Sequence, residues 1–219
     1  MTRNRANELE GEALAVLEGL VVHRGQWCGQ EGLRSALPAF AFGSRRAAET
    51  YATRPNDRRL ASGTGPVPRI FSARLAVTRI YCRTPIADCD PFLDLDGIAE
   101  DFGLKVVRAL VRDHAEAIEA TTGFADLQAG TGLDLAGMLA AWPERIQALP
   151  PVEAHLALRT PEFVAALKAQ GYDAAAFGGS GETALEMEWH LLDPALARDA
   201  ETGAPIPLAA DPEECGPVP

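Results

Sequence analysis

Glu186 and Glu188 stand two residues apart in "LEMEWHLLDP", a segment whose apolar and polar residues alternate with the period of a β-strand. Residues i and i+2 of a strand share a face, so the two carboxylates lie side by side and repel unless a cation is near. A solvated strand face would carry such a pair without further meaning. A sugar-handling site would use it, because a carboxylate can hold a ribose hydroxyl and stabilise an oxocarbenium-like transition state, as in glycoside hydrolysis. A second constellation is "VVHRGQW" at residues 21–27, where an apolar run ends on His23, Arg24 and Gly25. The planar, permanently charged fork of arginine grips phosphate, and a glycine lets a flat ligand lie against backbone N–H and C=O groups. His23 and Arg24 could equally form a surface pair at a strand end. Tyr51, Phe40 and Phe42 fit a core as readily as a stacking platform, and Ser44 reads as a helix N-cap. His114, His155 and His190 have no metal-ligand spacing with one another or with a cysteine, so no metal site is expected.

The elements that would hold these groups follow from periodicity and breakers. "NRANELEGEALAVLEGL" predicts an amphipathic helix feeding a strand at residues 20–23, with a turn at Gly25. Phe40 and Phe42 predict a short strand, Gly43 and Ser44 a turn and cap, and residues 45–53 a helix. The Pro, Asn, Asp, Gly and Ser of residues 54–68 predict a surface loop, and "PRIFSARLAVTRIYCRTP" one long strand. Helices are expected over 97–120, 134–148 and 161–170, the last capped by Thr160 with Pro161 at its first position. "YDAAAFGG" and "LEMEWHLLDP" read as strands joined through a turn at "GGSG", and residues 199–219 as a flexible tail. The expected organisation is a single domain over 1–198 with a helical block at about 97–170.

With 219 residues, 47% of them hydrophobic, one sizeable core is expected. The formal charge of −11 excludes a broad electrostatic footprint on duplex nucleic acid or an anionic membrane. The four cysteines show no C-x-x-C spacing and no apolar run nears the roughly 18 residues of a membrane span, so a reduced, cytoplasmic location, or delivery into a host cytoplasm, is expected.

Taken together, these segments resemble the ADP-ribosyltransferase fold of diphtheria-type toxins, poly(ADP-ribose) polymerases and arginine-directed transferases, in particular bacterial or phage-associated members. "VVHRG" is similar to the first family motif, with Arg24 in its variable His/Arg place and His23 one residue earlier. "FAFGSRRAAETYA" is similar to the second, a strand and small-residue corner before a helix carrying a tyrosine, and "GYDAAAFGGSGETALEMEWHLLDP" to the ending led by the catalytic glutamate. "ARLAVTRIYCRTPIADCDPFLDL" resembles the strand between the last two motifs. The resemblance implies an α+β fold in which two small packed β-sheets form an NAD cleft beside a helical insertion. It implies a mono-ADP-ribosyltransferase that releases nicotinamide from NAD and passes ADP-ribose to a macromolecular acceptor, a protein in the first instance.

In that reading Arg24 or His23 holds the ribose and phosphate side of NAD, and Gly25 offers its backbone to the carboxamide. Tyr51 with Phe42 stacks on the nicotinamide, Glu188 binds the ribose and supports developing positive charge, and Glu186 serves the acceptor side. Arginine-class members carry Ser-Thr-Ser and Glu-x-Glu; here Ser44 or Ser72 stands where the serines would, so the Arg or His class stays open. Two alternatives belong to other classes. One is a catalytically silent binding or phage accessory protein. The other is a nucleic-acid-directed transferase, for which Arg45, Arg46, Arg54, Arg58 and Arg59 are the concentrated basic supply.

Overall fold

A computed structural model describes residues 7–8, 19–26, 32–33, 35, 37–53, 68–83, 90–179 and 186–209. The amino-terminal half supplies strands β1 Asn7–Glu8, β2 Val22–Gln26 and β3 Phe40–Phe42, helix α1 Arg45–Thr53, and strands β4 Arg69–Leu75 and β5 Ile80–Cys82. A helical block follows, entered through β6 Phe92–Leu93: α2 Leu95–Phe102, α3 Leu104–Asp113, α4 Ala115–Glu119, α5 Thr122–Thr131 and α6 Leu135–Ala141. A 3-10 turn Pro143–Ala148, β7 Val152–Glu153, α7 Ala154–Ala157 and α8 Pro161–Ala169 complete the block. The chain returns to sheet through β8 Ala174–Gly178, β9 Met187–Leu191 and β10 Ala197–Asp199. The protein is thus α+β, with small sheets and several helices.

Among the described residues the strands form a five-stranded sheet in the order β1-β5-β8-β9-β3, a three-stranded sheet β10-β4-β2, and the pair β6-β7. Strand β8 sits at the centre because its sequence suits burial on both faces. Ala174 and Ala176 point into a core shared with the three-stranded sheet, alongside Val22, Phe42, Leu75, Trp189 and Leu191. Ala175 and Phe177 point into a second core under the helical block, with Tyr81, Ile98, Leu110 and Phe163. Full burial of one such Phe or Leu side chain contributes about 1.5–3 kcal/mol, and the alanines let both layers approach β8 closely.

The structure revises several expectations. Strand β2 continues through Gly25 to Gln26 instead of turning there, because a glycine is what the packing of α1 requires: a Cβ on Gly25 would lie 1.8 Å from the carbonyl oxygen of Ala48. Asn7 and Glu8, expected in a helix, pair with Cys82 and Tyr81 as an edge strand. The long strand expected over 68–85 is divided between the two sheets. Its corner is built by one carboxylate oxygen of Asp173, which accepts from the Thr78 N–H at 2.7 Å, the Thr78 hydroxyl at 2.7 Å and the Arg79 N–H at 3.0 Å. The helix expected over 97–120 is broken at Gly103, whose φ of +83° leaves the helical region. Helix α5, capped by Thr121, was not foreseen; Phe124 is its buried residue.

Thr160 precedes α8 as expected, but its side chain makes no cap; its hydroxyl meets His114 Nε2 at 3.1 Å. The flexible tail expected from residue 199 is, as far as residue 209, folded onto the three-stranded sheet. Ile206 is 6% exposed within the core, and Leu33 N–H donates to the Pro207 carbonyl. The remainder of that tail, the loop over 54–67, the "GGSG" turn beyond Gly179 and most of the first expected helix lie outside the described residues. Among the described residues no helix is long and apolar enough to cross a membrane.

Candidate functional site

The three segments singled out in the sequence come to lie on neighbouring strands. Strand β3 pairs with β9, setting Phe42 opposite Trp189 and Ala41 opposite His190. Strand β2 touches β3 through one isolated rung, in which His23 and Gly43 exchange backbone N–H to O bonds of 2.8 Å each. Beyond that rung the sheets part: β2 stays with β4 as far as Gln26, and β3 stays with β9.

Opposed residues of antiparallel strands share a face and neighbours along a strand alternate. His23 therefore shares a face with Gly43, and Gly43 with Glu188, whereas Arg24 points to the other side. The contacts agree. The Arg24 guanidinium lies 5.7 Å from the Phe40 ring centroid, donates to the Ala41 carbonyl at 2.8 Å and to Gln26 Oε1 at 3.1 Å, and so ties the two sheets where they separate. The structure brings His23, not Arg24, to the face of Glu188. His23 Nδ1 lies 3.0 Å from the Ser72 hydroxyl, and burial, with the charge of Arg45 and against that of Glu49, pushes its pKa down, favouring the neutral ring.

Glu186 is clamped from the start of α1. Ser44 caps that helix by accepting the Ala47 N–H at 3.1 Å and donates its own hydroxyl to Glu186 Oε2 at 2.5 Å. Arg46 forms an ion pair with the other carboxylate oxygen. The Ser44 hydrogen bond and the Arg46 guanidinium hold the Glu186 carboxyl below the usual carboxylate range. Glu188 is oriented differently: one of its oxygens lies 3.3 Å from Nε2 of His190, a buried imidazole beside the Phe177 ring. Phe42 is 1% exposed in the core between the sheets, so the stacking expected of it has no ring face to use, and Tyr51, 41% exposed on α1, is the aromatic at the surface. The Cα side of Gly25 is covered by α1.

Compared with protein-family models, with curated proteins and with solved structures, the chain matches none. The arrangement therefore has to be read on its own chemistry. It sets His23 and Glu188 on the face they share with Gly43, where two sheets part; an imidazole and a carboxylate can hold hydroxyls and carboxamides, and a carboxylate can stabilise a developing cation. Among the described residues no group of three His, Cys, Asp or Glu could hold a metal. Sequence reasoning missed His190 as a partner of Glu188, although the i, i+2 spacing in "EWH" was the available signal, and it missed Arg46, which is 140 residues from the glutamate it binds.

Proposed function

We propose that the chain is an NAD-dependent mono-ADP-ribosyltransferase of the ADP-ribosyltransferase fold, with the cleft at the parting of β2 and β3. The observation that supports this is the convergence of three remote segments, 22–26, 40–51 and 186–190, onto adjacent strands and the helix between them, with His23, Gly43 and Glu188 on one face. In this reading Glu188 holds the nicotinamide ribose, His23 takes the first-motif role and places the chain in the histidine class, and Tyr51 stacks on the nicotinamide. The acceptor is a macromolecule, a protein in the first instance. In this reading the carboxamide takes its donor and acceptor from the backbone edge of β2 beyond the His23–Gly43 rung.

The test is incubation with NAD labelled in its adenylate half and a cell lysate, following label transfer and free nicotinamide. Wild type should give both, and Glu188→Gln should lower the rate by roughly 10²–10³-fold, the loss typical of one electrostatic stabiliser, while its melting temperature stays close to that of wild type. Wild type without nicotinamide release, or an unimpaired Glu188→Gln, would remove the enzymatic reading. A second reading has its own observation. The Arg46–Glu186 clamp is what a silent, partner-binding member would also show, and NAD binding without turnover would select it.

A further inference from the structure

The pairing that places His23 also supplies the polar group nearest its ring. His23 directs both of its backbone groups to Gly43, and the Ser72 carbonyl accepts from the Ala200 N–H on the far side of β4. His23 and Ser72, opposed in the register of β2 and β4, therefore form a non-hydrogen-bonded pair. In such pairs the Cα atoms are about 4.5 Å apart and the side chains approach most closely. A serine there meets the edge of the imidazole, and Nδ1 lies 3.0 Å from its Oγ. Strand β4 is the middle strand of its sheet, between β10 and β2, so Ser72 stands on backbone held from both sides. A cross-strand polar pair can serve a sheet alone. This one lies in the row of His23, Gly43 and Glu188 on which the transferase reading is built.

We propose that Ser72 is the positioning residue of His23: its hydroxyl donates to Nδ1, fixes the ring and its tautomer, and leaves Nε2–H as the group offered to NAD. This rests on the transferase reading. Burial and the charge of Arg45 outweigh the pull of Glu49 and keep the ring neutral, so one nitrogen carries the hydrogen and the other a lone pair. If Nδ1 carried the hydrogen, the Ser72 hydroxyl would accept from it and its own hydrogen would need another acceptor. Among the described residues the Ser72 hydroxyl meets His23 and no second group. Donation from Ser72 to Nδ1 satisfies both side chains at once.

The tautomer decides what the face can recognise. His23 presents a donor at Nε2, and Glu188, a carboxylate, can only accept. The part of NAD that meets His23 is accordingly an oxygen with a lone pair to offer, on a hydroxyl, a phosphate or a carbonyl, and not an N–H.

The experiment compares wild type with Ser72→Ala, Ser72→Thr, His23→Ala and the double variant of Ser72→Ala with His23→Ala. Each is followed through KM and kcat for nicotinamide release from NAD, and the first two also through the ring nitrogen chemical shifts of His23. Without NAD, the wild-type ring should carry its hydrogen on Nε2, and Ser72→Ala should admit the second tautomer. KM for NAD should rise roughly 5-fold in Ser72→Ala, the size of one net hydrogen bond, with kcat nearly unchanged, as for lost uniform binding. Ser72→Thr, which keeps the hydroxyl, should restore the wild-type KM. In the His23→Ala background, Ser72→Ala should change kcat/KM no further, because a positioning residue acts through the ring it holds. A wild-type ring protonated at Nδ1 overturns the proposal, and so does a Ser72→Ala effect that persists in full without His23. A wild-type KM in Ser72→Ala overturns it as well and leaves the transferase reading standing. A wild type that releases no nicotinamide overturns the transferase reading, and with it the role of Ser72, whatever the tautomer.

Discussion

On the β5 side of the five-stranded sheet, Asp101 accepts from the Tyr81 hydroxyl at 2.9 Å and from Arg83 Nη1 at 2.8 Å with 2% of its side chain exposed. On the β9 side, Glu188 and Glu186 keep 14% and 23%. The first region spends its charges on joining layers. Tyr81 is enclosed by the rings of Phe102, Phe163, Tyr172 and Phe177, with centroids 5.2–6.2 Å away, and burial drives its hydroxyl far above the ordinary tyrosine range. The guanidinium of Arg83 lies flat against Gly97 of α2 and also donates to its carbonyl at 2.6 Å. The second region sets ionisable groups on a face that is half open, oriented by neighbours but not sealed by them. Carboxylates therefore serve as internal ties at one end of the sheet and stay partly exposed at the other.

Mutations can break that contrast. Asp101→Asn should cost about 3 kcal/mol, the low end for removing one partner of a buried ion pair, because the amide still accepts one bond and Glu100 remains 3.9 Å from Arg83. Urea unfolding measures it, and a loss no larger than that of Glu188→Gln would erase the distinction between the two ends. Next in size is Gly25→Ala, expected to cost about 1–3 kcal/mol as overpacking does, since the obstructing Ala48 carbonyl belongs to a helix backbone. Gly97→Ala would drive its Cβ into the Arg83 guanidinium that Asp101 holds, so it should loosen the same tie, and up to about 1 kcal/mol of helix propensity offsets only part of the loss; its melting temperature should fall as well.

The smallest effect is that of pH, which should act on the open end. His23 there, like His155 and like His114 under α8, has its pKa lowered by burial. An unfolded chain binds protons near the ordinary value of about 6.5 that these folded rings refuse. Their contribution is complete above that value and is lost as pH falls below it. Thermal melts from pH 7.5 to 5.5 should show falling stability, with a gentler slope in His155→Gln.

The β9 side of this contrast was legible in the sequence, and the Tyr81–Asp101–Arg83 tie was not, for physical reasons. The strands carrying His23, Phe42, Phe177 and Glu188 announced themselves because alternation and β-branched or aromatic residues are local properties, and Ser44 announced itself as a cap. The break between β4 and β5 did not, because the apolar pattern runs through Val77 and the corner is imposed by Asp173, 95 residues later in the chain. Helix α5 escaped notice because it buries little beyond Phe124 and carries two glycines, Gly123 and Gly130. The register of "HRG" could not be read from its own letters. It is decided by which residue meets Gly43, and that turns Arg24 from a ligand candidate into a tie between sheets. Gly25 was recognised as special for backbone approach, but the backbone that approaches it is the protein's own.

The Ser44–Glu186 bond spans 142 residues. Loop closure on that scale has to precede any reward from the contact, and folds dominated by distant pairings form slowly. Until β9 is in place, β3 has no partner strand in the five-stranded sheet, and Ser44 and Arg46 have no glutamate to hold. A chain still being synthesised can begin to pack the helices of its helical block against one another before β9 has been made. Whatever this face does, it cannot do it before β9 has been made, because its groups come together only when residues 186–191 join segments made some 140 residues earlier.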